Sequence, residues 1–505
     1  MIFQSIIGQV IASLAFAAVG QLICTTVYRL FLHPLAKVPG PFLARTSFLY
    51  SFWYNLGGQF YLRVEELHEQ YGPIVRITPN EVHLSDPENC EKIYFVGSRY
   101  AKDPAFYNAT GVPTATFATS DPDVHRVKRA ALNPFFSRKM VLNLEGIVQE
   151  KAQKLIMRMK KAFETPGGGI ELHNAFRAIS IDVVSDYAFN DCYNFLDDEE
   201  FGAAFTDMVR SFAPTIWIFQ QFPSLQKILM SAPAWFAKMT SGAMASLMEH
   251  HEGSLRQIRR VKAAVDRGEE PSRTTIFHQL LQPDAAEGYR VPTAEELKDE
   301  AFITLSAATD TTGNALTIAS YNIARNPDIY ARLSAELKEK FAEPESTMVF
   351  TVLEKLPYLT GVVKEALRLS FGVPGRLPRV VPASGAEFNG YYVAPGTVVS
   401  MSAWMMHHNK TLYPEPEKFN PERWTNPAEA KFLDRYLFSF GKGSRQCVGM
   451  QLAYSEIYVT LARVFRQFDD LTTAQKSRDE MLYIDNFSGF NQEEHSRFVF
   501  TQALT

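Results

Sequence analysis

The sequence predicts a mainly α-helical protein with a small β lobe, forming one large two-lobed domain behind an N-terminal membrane helix. Three observations carry this expectation. Apolar residues recur at helical spacing through most of the 505 residues. Strand patterns cluster in only two places. No charged side chain occurs from Met1 to Tyr28.

From the N-terminus, Ser5 to Tyr28 carries Ile6, Ile7, Val10, Ile11, Leu14, Val19, Leu22 and Ile23. At about 1.5 Å per residue this stretch spans a hydrocarbon core of roughly 30 Å. Gln9 and Gln21 interrupt it. Arg29, His33, Lys37 and Arg45 follow, so the positive-inside tendency places the bulk of the chain in the cytosol. A cleaved signal peptide is the competing reading, with Ala15-Phe16-Ala17 as its cleavage site. The missing basic leader and the length of the apolar run favour an uncleaved anchor. Residues 1–32 are thus expected to be the anchor, residues 33–45 a stiff hinge around Lys37-Val38-Pro39-Gly40-Pro41-Phe42, and residues 46–505 the folded domain that carries the function. In that topology the sequons at Asn108, Asn409 and Asn486 are silent.

Helices are predicted over Gly146–Phe163, Asn174–Phe189, Ser241–Arg267, residues 293–326 and the run after Cys447. The fourth has start signals in Pro292-Thr293-Ala294-Glu295-Glu296 and a stop at Asn326-Pro327. One hairpin is expected from Ile74–Ile77 and Val82–Leu84. A second is expected from Tyr391–Val393 and Thr397–Val399 around the turn Ala394-Pro395-Gly396.

Composition excludes several function classes. With a net charge of −4 and no basic stripe or tail, nothing marks a nucleic-acid binder. Four cysteines (Cys24, Cys90, Cys192, Cys447) are too few for a disulfide framework, and none has the Cys-x-x-Cys spacing of a zinc ribbon.

The chemistry concentrates at Phe440-Gly441-Lys442-Gly443-Ser444-Arg445-Gln446-Cys447-Val448-Gly449. Cys447 precedes a helix, where unpaired N–H groups and the dipole favour a thiolate. A single thiolate can hold a haem iron and favours O–O cleavage. Gly443 permits a turn with positive φ, and Gly449 lets a flat ligand approach the backbone. Arg445 can fork onto an anionic group of that ligand, and Phe440 covers the sulfur. The alternative is a structural cysteine in a Gly-rich turn.

Other patterns accompany it. Ala307-Ala308-Thr309-Asp310-Thr311-Thr312 places an acid beside a hydroxyl inside an apolar helix. With the cysteine loop in place, Thr311 would hydrogen-bond the oxygen being activated and Asp310 would relay protons. Alternatively, the threonines back-bond to the preceding turn and Asp310 pairs with a neighbouring helix. Glu365-Ala366-Leu367-Arg368 sets an acid and a base on one helix face, and Pro421-Glu422-Arg423-Trp424 lies downstream. His125 and Arg129 share a face four residues apart, and Arg379 follows the Glu365 helix.

The cysteine loop resembles the haem-binding signature of the cytochrome P-450 superfamily, the haem-thiolate monooxygenases, at every defining position. The order Glu-x-x-Arg, Pro-Glu-Arg-Trp, cysteine loop is similar too. The resemblance implies a haem-thiolate fold holding haem b (iron protoporphyrin IX) between the long helix and the loop. It implies a Glu365–Arg368–Arg423 network behind the haem, with His125, Arg129 and Arg379 on its propionates. Two departures stand out: His125 occupies the place of the usual Trp, and Ala308 that of the usual Gly, which tightens the dioxygen groove. Since these residues build one site, one domain is expected despite the length.

The implied activity is insertion of one oxygen atom from O2 into a lipophilic substrate, by hydroxylation or epoxidation. The overall cast resembles filamentous-fungal microsomal members such as trichodiene oxygenases, hence endoplasmic reticulum, membrane lipid contact and secondary metabolism of the terpenoid kind. Electrons would come from a separate NADPH-cytochrome P-450 reductase, docking on a face with Lys128, Arg138, Lys139 and Lys442. Phe106, Phe117, Phe302, Leu305, Ser306, Val373 and Phe490 are the candidate pocket residues, their apolar bias favouring lipophiles. Two alternatives remain: a haem-thiolate isomerase or dehydratase that needs no O2, and a non-catalytic haem-binding membrane protein.

Overall fold

A 32-residue helix, Ala294–Arg325, forms the axis of the molecule. A capping box starts it: Thr293 Oγ1 accepts from Glu296 N (3.2 Å) while Glu296 Oε2 accepts from Thr293 N (2.8 Å). It ends at Asn326, where Pro327 begins the next helix. The computed structural model describes residues 2–165, 167–231, 242–269, 271, 273–282, 285–473, 483–491 and 499–502, with side chains from residue 6 other than those of residues 243, 246 and 491.

Helices Leu172–Phe189, Gly242–Asp266, Pro357–Ser370 and Met450–Gln467 pack around this axis. All of Leu172–Phe189 except Asp186 is buried, as expected of a helix enclosed by neighbours. The expected helices are present with ends shifted by a residue or two: Glu145–Phe163, Leu172–Phe189, Gly242–Asp266 and Ala294–Arg325. Ser241, the expected start of one, lies outside the described residues.

The β lobe is a five-stranded sheet in the order Ile74–Thr78, Glu81–Leu84, Val398–Ser400, Arg379–Val380, Ala101–Lys102. The first hairpin forms as expected, Ile74 opposite Leu84. The second does not. Tyr391–Val393 pairs backwards with Ala386–Phe388. The turn between them is Asn389-Gly390, with φ of +48° and +81°, and Asn-Gly is the strongest short hairpin signal. The Ala394-Pro395-Gly396 turn instead hands the chain to the main sheet, where Val398–Ser400 runs parallel to Glu81–Leu84.

The helix Ile2–Val27 continues through a wider turn, Tyr28–Leu32. Residues 6–32 are long and apolar enough to cross a membrane, and the most apolar 18-residue stretch of them buries no residue in the body. The stretch expected to be a hinge is held to the body instead. Leu35 and Val38 are buried, Arg76 N donates to Pro39 O (2.7 Å) and Arg76 Nη1 to Leu35 O (3.3 Å).

Candidate active site

One cavity of about 390 Å³ lies between the central helix and the cysteine loop. Cys447 opens onto it and is otherwise enclosed by protein. The loop is pinned by Cys447 N donating to Phe440 O (2.9 Å). Gly443 adopts φ +70°, and a Cβ there would fall 2.5 Å from the Phe95 carbonyl oxygen, so only glycine fits. At Gly449 a Cβ would meet nothing within 4 Å: the space over its backbone is open. Phe440 lines the cavity and packs on Tyr454, ring centroids 5.2 Å apart. Burial raises the Cys447 thiol pKa, opposed by the Gly449 N–H and the Arg129 charge.

Around one end of the cavity stand Lys102, His125, Arg129, Arg379 and Arg445. The sheet brings two of them together, with Lys102 opposite Arg379 in register. None makes an ion pair with a described carboxylate. Arg129 donates to Gln446 O (2.8 Å) and Asn133 Oδ1 (2.7 Å), and Arg379 to Tyr107 Oη (2.7 Å). Arg445 donates to Thr119 O (2.5 Å) and Ser120 O (2.9 Å), and Lys102 to Phe117 O (2.6 Å). Burial and these four neighbours push His125 down to about 2. Burial, with Arg379, Arg445 and Arg129 beside it, lowers Lys102 well below its ordinary value. Glu300 also lines the cavity and favours the charged form of Arg129, but the positive groups outnumber it, an imbalance that a diacid ligand would correct. Lys102 was missed in the sequence, where it is one lysine in a loop.

Behind the loop, Glu365 is fully buried. Arg368 grips it with Nε on Oε2 (3.0 Å) and Nη2 on Oε1 (2.7 Å). Arg423 Nε (3.3 Å), Asn420 N (2.9 Å) and Trp424 Nε1 (2.9 Å) complete the set. His407, unnoticed in the sequence, ties this network to the loop. Its Nε2 accepts from Phe438 N (2.9 Å), so its Nδ1 carries the proton donated to Arg368 O (2.7 Å).

On the opposite wall, Thr311 Oγ1 donates to Ala307 O (2.8 Å). Asp310 Oδ1 accepts from Arg177 Nε (2.7 Å) and Arg210 Nη2 (3.2 Å), while Oδ2 lacks a partner. Burial drives the Asp310 carboxyl up, but the two guanidiniums outweigh it and hold it below the usual range. Both residues line the cavity, yet their bonds are those of the structural alternative. Ala308 lines it as well.

Of the expected pocket residues, Phe117, Phe302, Ser306, Val373 and Phe490 line the cavity. Phe106 and Leu305 do not. Phe106 packs on Tyr107, Trp217 and Phe487, and Leu305 belongs to the main core on another face of the helix. The expected docking face also needs correction. Lys128 Nζ is committed to Thr114 O (2.6 Å), Lys442 Nζ to Asp434 O (2.7 Å), and Arg138 to Glu354 (2.9 Å). Lys139 alone of the four remains exposed without such a tie.

A mainly helical body, a cavity facing a lone thiol and an anion-seeking rim define a haem-thiolate oxidoreductase. The sequence comparisons agree. The cytochrome P-450 family profile matches residues 39–494. Among curated proteins, the chain is 36% identical to the cytochrome P-450 monooxygenase macH of Penicillium terrestre, over 92% of each chain. It is 36% identical to a conidiogenone synthase of Penicillium rubens, over 88% of this chain and 89% of the relative. It is 33% identical to the cytochrome P-450 monooxygenase TRI4 of Fusarium sporotrichioides, over 92% and 89%. The chain belongs to the cytochrome P-450 family and is a haem-dependent monooxygenase.

Proposed function

We propose that this chain inserts one oxygen atom of O2 into a lipophilic substrate of fungal secondary metabolism, by hydroxylation or epoxidation, with terpenoids as the favoured class. The observation that carries it is a thiol opening onto a mostly apolar cavity whose rim gathers cations that form no ion pair with a described carboxylate. Cys447 would hold the iron of haem b. Arg129, Arg379, Arg445, Lys102 and His125 would meet its carboxylates, and the bare backbone at Gly449 would lie against its face. When bound, haem supplies the activation of dioxygen.

The protein's own groups do the rest. Phe440 keeps water from the sulfur, and the apolar wall orients the substrate and excludes solvent. Thr311 holds a hydroxyl proton on the cavity face. To deliver it, Thr311 turns away from Ala307 O, and Asp310, an ionised carboxylate at rest, would take up a proton from solvent on loosening from Arg177 and Arg210 and pass it to the Thr311 hydroxyl.

Residues 1–32 are read as a single-pass anchor in the endoplasmic reticulum membrane, with the catalytic domain from residue 46 in the cytosol. Exposed apolar side chains beside the anchor support a lipid-facing side: Phe42, Leu43, Leu49 and Trp53, with Leu225 and Ile228 nearby. The two groups meet where Phe52 packs on Phe222, centroids 5.7 Å apart. A separate NADPH-cytochrome P-450 reductase supplies electrons. The similarity to a conidiogenone synthase supports secondary metabolism, and the resemblance to trichodiene oxygenases supports terpenoids.

The test is co-expression with a microsomal reductase and feeding of a terpenoid panel under heavy-isotope dioxygen. The expected product gains one labelled oxygen atom and requires NADPH. Turnover that needs neither NADPH nor O2 contradicts the proposal in favour of an isomerase or dehydratase.

A further inference from the structure

The cavity contains polar groups that the oxygenation chemistry leaves unused. Its wall is mostly aromatic and aliphatic, including Phe117, Phe212, Ile216, Leu247, Phe302 and Phe490. Asn486 interrupts that wall. It is only 7% exposed, it lines the cavity, and its side-chain amide has no hydrogen-bond partner among the described residues.

Ser306 is the second such group. Thr304, Thr309, Thr311 and Thr317, on the same central helix, each donate to the carbonyl four residues earlier. Ser306 does not. Its buried hydroxyl has no partner, although the Phe302 carbonyl stands in the equivalent place. Buried polar atoms are nearly always paired, so an unpaired one at a cavity wall points to a group absent from the protein itself.

The position of Asn486 is enforced. Its strand, Tyr483–Asn486, returns as Ser488–Asn491 through the single residue Phe487. Phe487 has φ +74°, a left-handed conformation that a bulky side chain rarely adopts. Three contacts hold it there. Asp485 Oδ1 accepts from Phe487 N (3.0 Å), Trp217 Nε1 donates to Asp485 O (2.9 Å), and the Phe487 ring packs on Phe117 at 5.5 Å. Strain of this kind persists where its surroundings impose it, and it clusters at ligand clamps. The turn fixes the Asn486 backbone before a ligand arrives, which lowers the ordering cost of binding.

We infer that the substrate is an already oxygenated lipophile: an apolar ring skeleton with a carbonyl or hydroxyl oxygen bonded by Asn486, and Ser306 as a second hydrogen-bonding group. This rests on the monooxygenase reading above and names the substrate class for its cavity. An amide both donates and accepts, so it serves a ketone or an alcohol equally. A bare hydrocarbon offers no hydrogen bond to the Asn486 amide, whereas an oxygenated skeleton supplies one. The reaction that supplies the substrate must therefore leave oxygen on the skeleton, either as a prior oxygenation or as a cyclisation quenched by water.

The test uses the full-length holoenzyme and two pairs of probes, each pair nearly matched in skeleton: valencene with its ketone nootkatone, and cedrene with its alcohol cedrol. Binding is read from the Soret shift and, independently, by equilibrium dialysis. The oxygenated member of at least one pair is expected to bind about tenfold tighter or more. Asn486→Leu is expected to remove most of that preference without weakening the hydrocarbon. Ser306→Ala, which leaves the strained turn untouched, is expected to reduce the preference by about threefold. Equal or tighter binding of both hydrocarbons overturns the inference. So does the absence of binding by both oxygenated probes, or a preference that neither variant changes. Absence of the reduced-CO thiolate band from the wild-type protein is a different failure, visible before any ligand is added, and it removes the monooxygenase reading itself.

Discussion

The two sides of the cysteine loop treat polar groups in opposite ways. Behind the loop, the two oxygens of Glu365 take five donors: two from Arg368 and one each from Asn420, Arg423 and Trp424. In front, Asp310 Oδ2 and the Ser306 hydroxyl are left uncommitted, the Asn486 amide lines the cavity, and four basic side chains form no ion pair with a described carboxylate. The satisfied side holds the loop in place. The unsatisfied side is where a cofactor, protons and substrate would complete the bonding. Where polar groups are left open, local rules have yielded to function.

The largest test of this contrast is Glu365→Leu. It strands two buried guanidiniums, and losing one partner of a buried pair costs about 3–5 kcal/mol. That is a large share of a domain's stability. The expected outcome is little haem-loaded protein and a sharply lower denaturant midpoint. A wild-type midpoint would break the contrast.

Acid should come next. Burial pushes His68 down to about 4 and lowers His83 and His407 well below their ordinary value, so all three fold neutral. Below an unfolded pKa of about 6.5 the unfolded chain binds more protons than the folded one. Stability from these groups is therefore complete above that pH and lost as pH falls, by about 1.4 kcal/mol per pH unit for each histidine. Denaturant midpoints at about pH 7.5, 6.5 and 5.5 should fall slightly over the first interval and mostly over the last, and a rise there would contradict the assignment.

On the open side, Thr311→Ala should leave the fold intact and divert electrons. NADPH consumption should continue while product per NADPH drops about tenfold or more. Unchanged coupling would reject the relay. The smallest effect belongs to Arg138→Ala. The Arg138–Glu354 pair is chemically akin to Arg368–Glu365 but lies at the surface, so its loss should shift stability by about 1 kcal/mol or less. A shift as large as that of Glu365→Leu would show that burial is not what matters.

The loop, the acid–base pair of the Glu365 helix and the central helix were readable because local spacing encodes them. The second hairpin was misread because Pro395-Gly396 was weighed as a strand reversal, while Asn389-Gly390, with its two positive φ values, went unused. Lys102 and His407 were hidden for another reason. Their roles come from partners distant in the chain, Arg379 across the sheet and Phe438 ahead of the loop. The same holds for Asp310, whose two arginines stand on other helices. Phe106 and Leu305 were assigned to the pocket on apolarity alone, and apolarity does not distinguish a core face from a cavity face.

The central claim is that Cys447 supplies the thiolate to the haem iron. The direct measurement is the reduced-CO difference spectrum of the purified wild-type protein and of Cys447→Ala. The account predicts the red-shifted Soret band of a thiolate complex in the first and its complete loss in the second. A band that survives the substitution, or a wild-type spectrum with a nitrogen donor on iron, would contradict it.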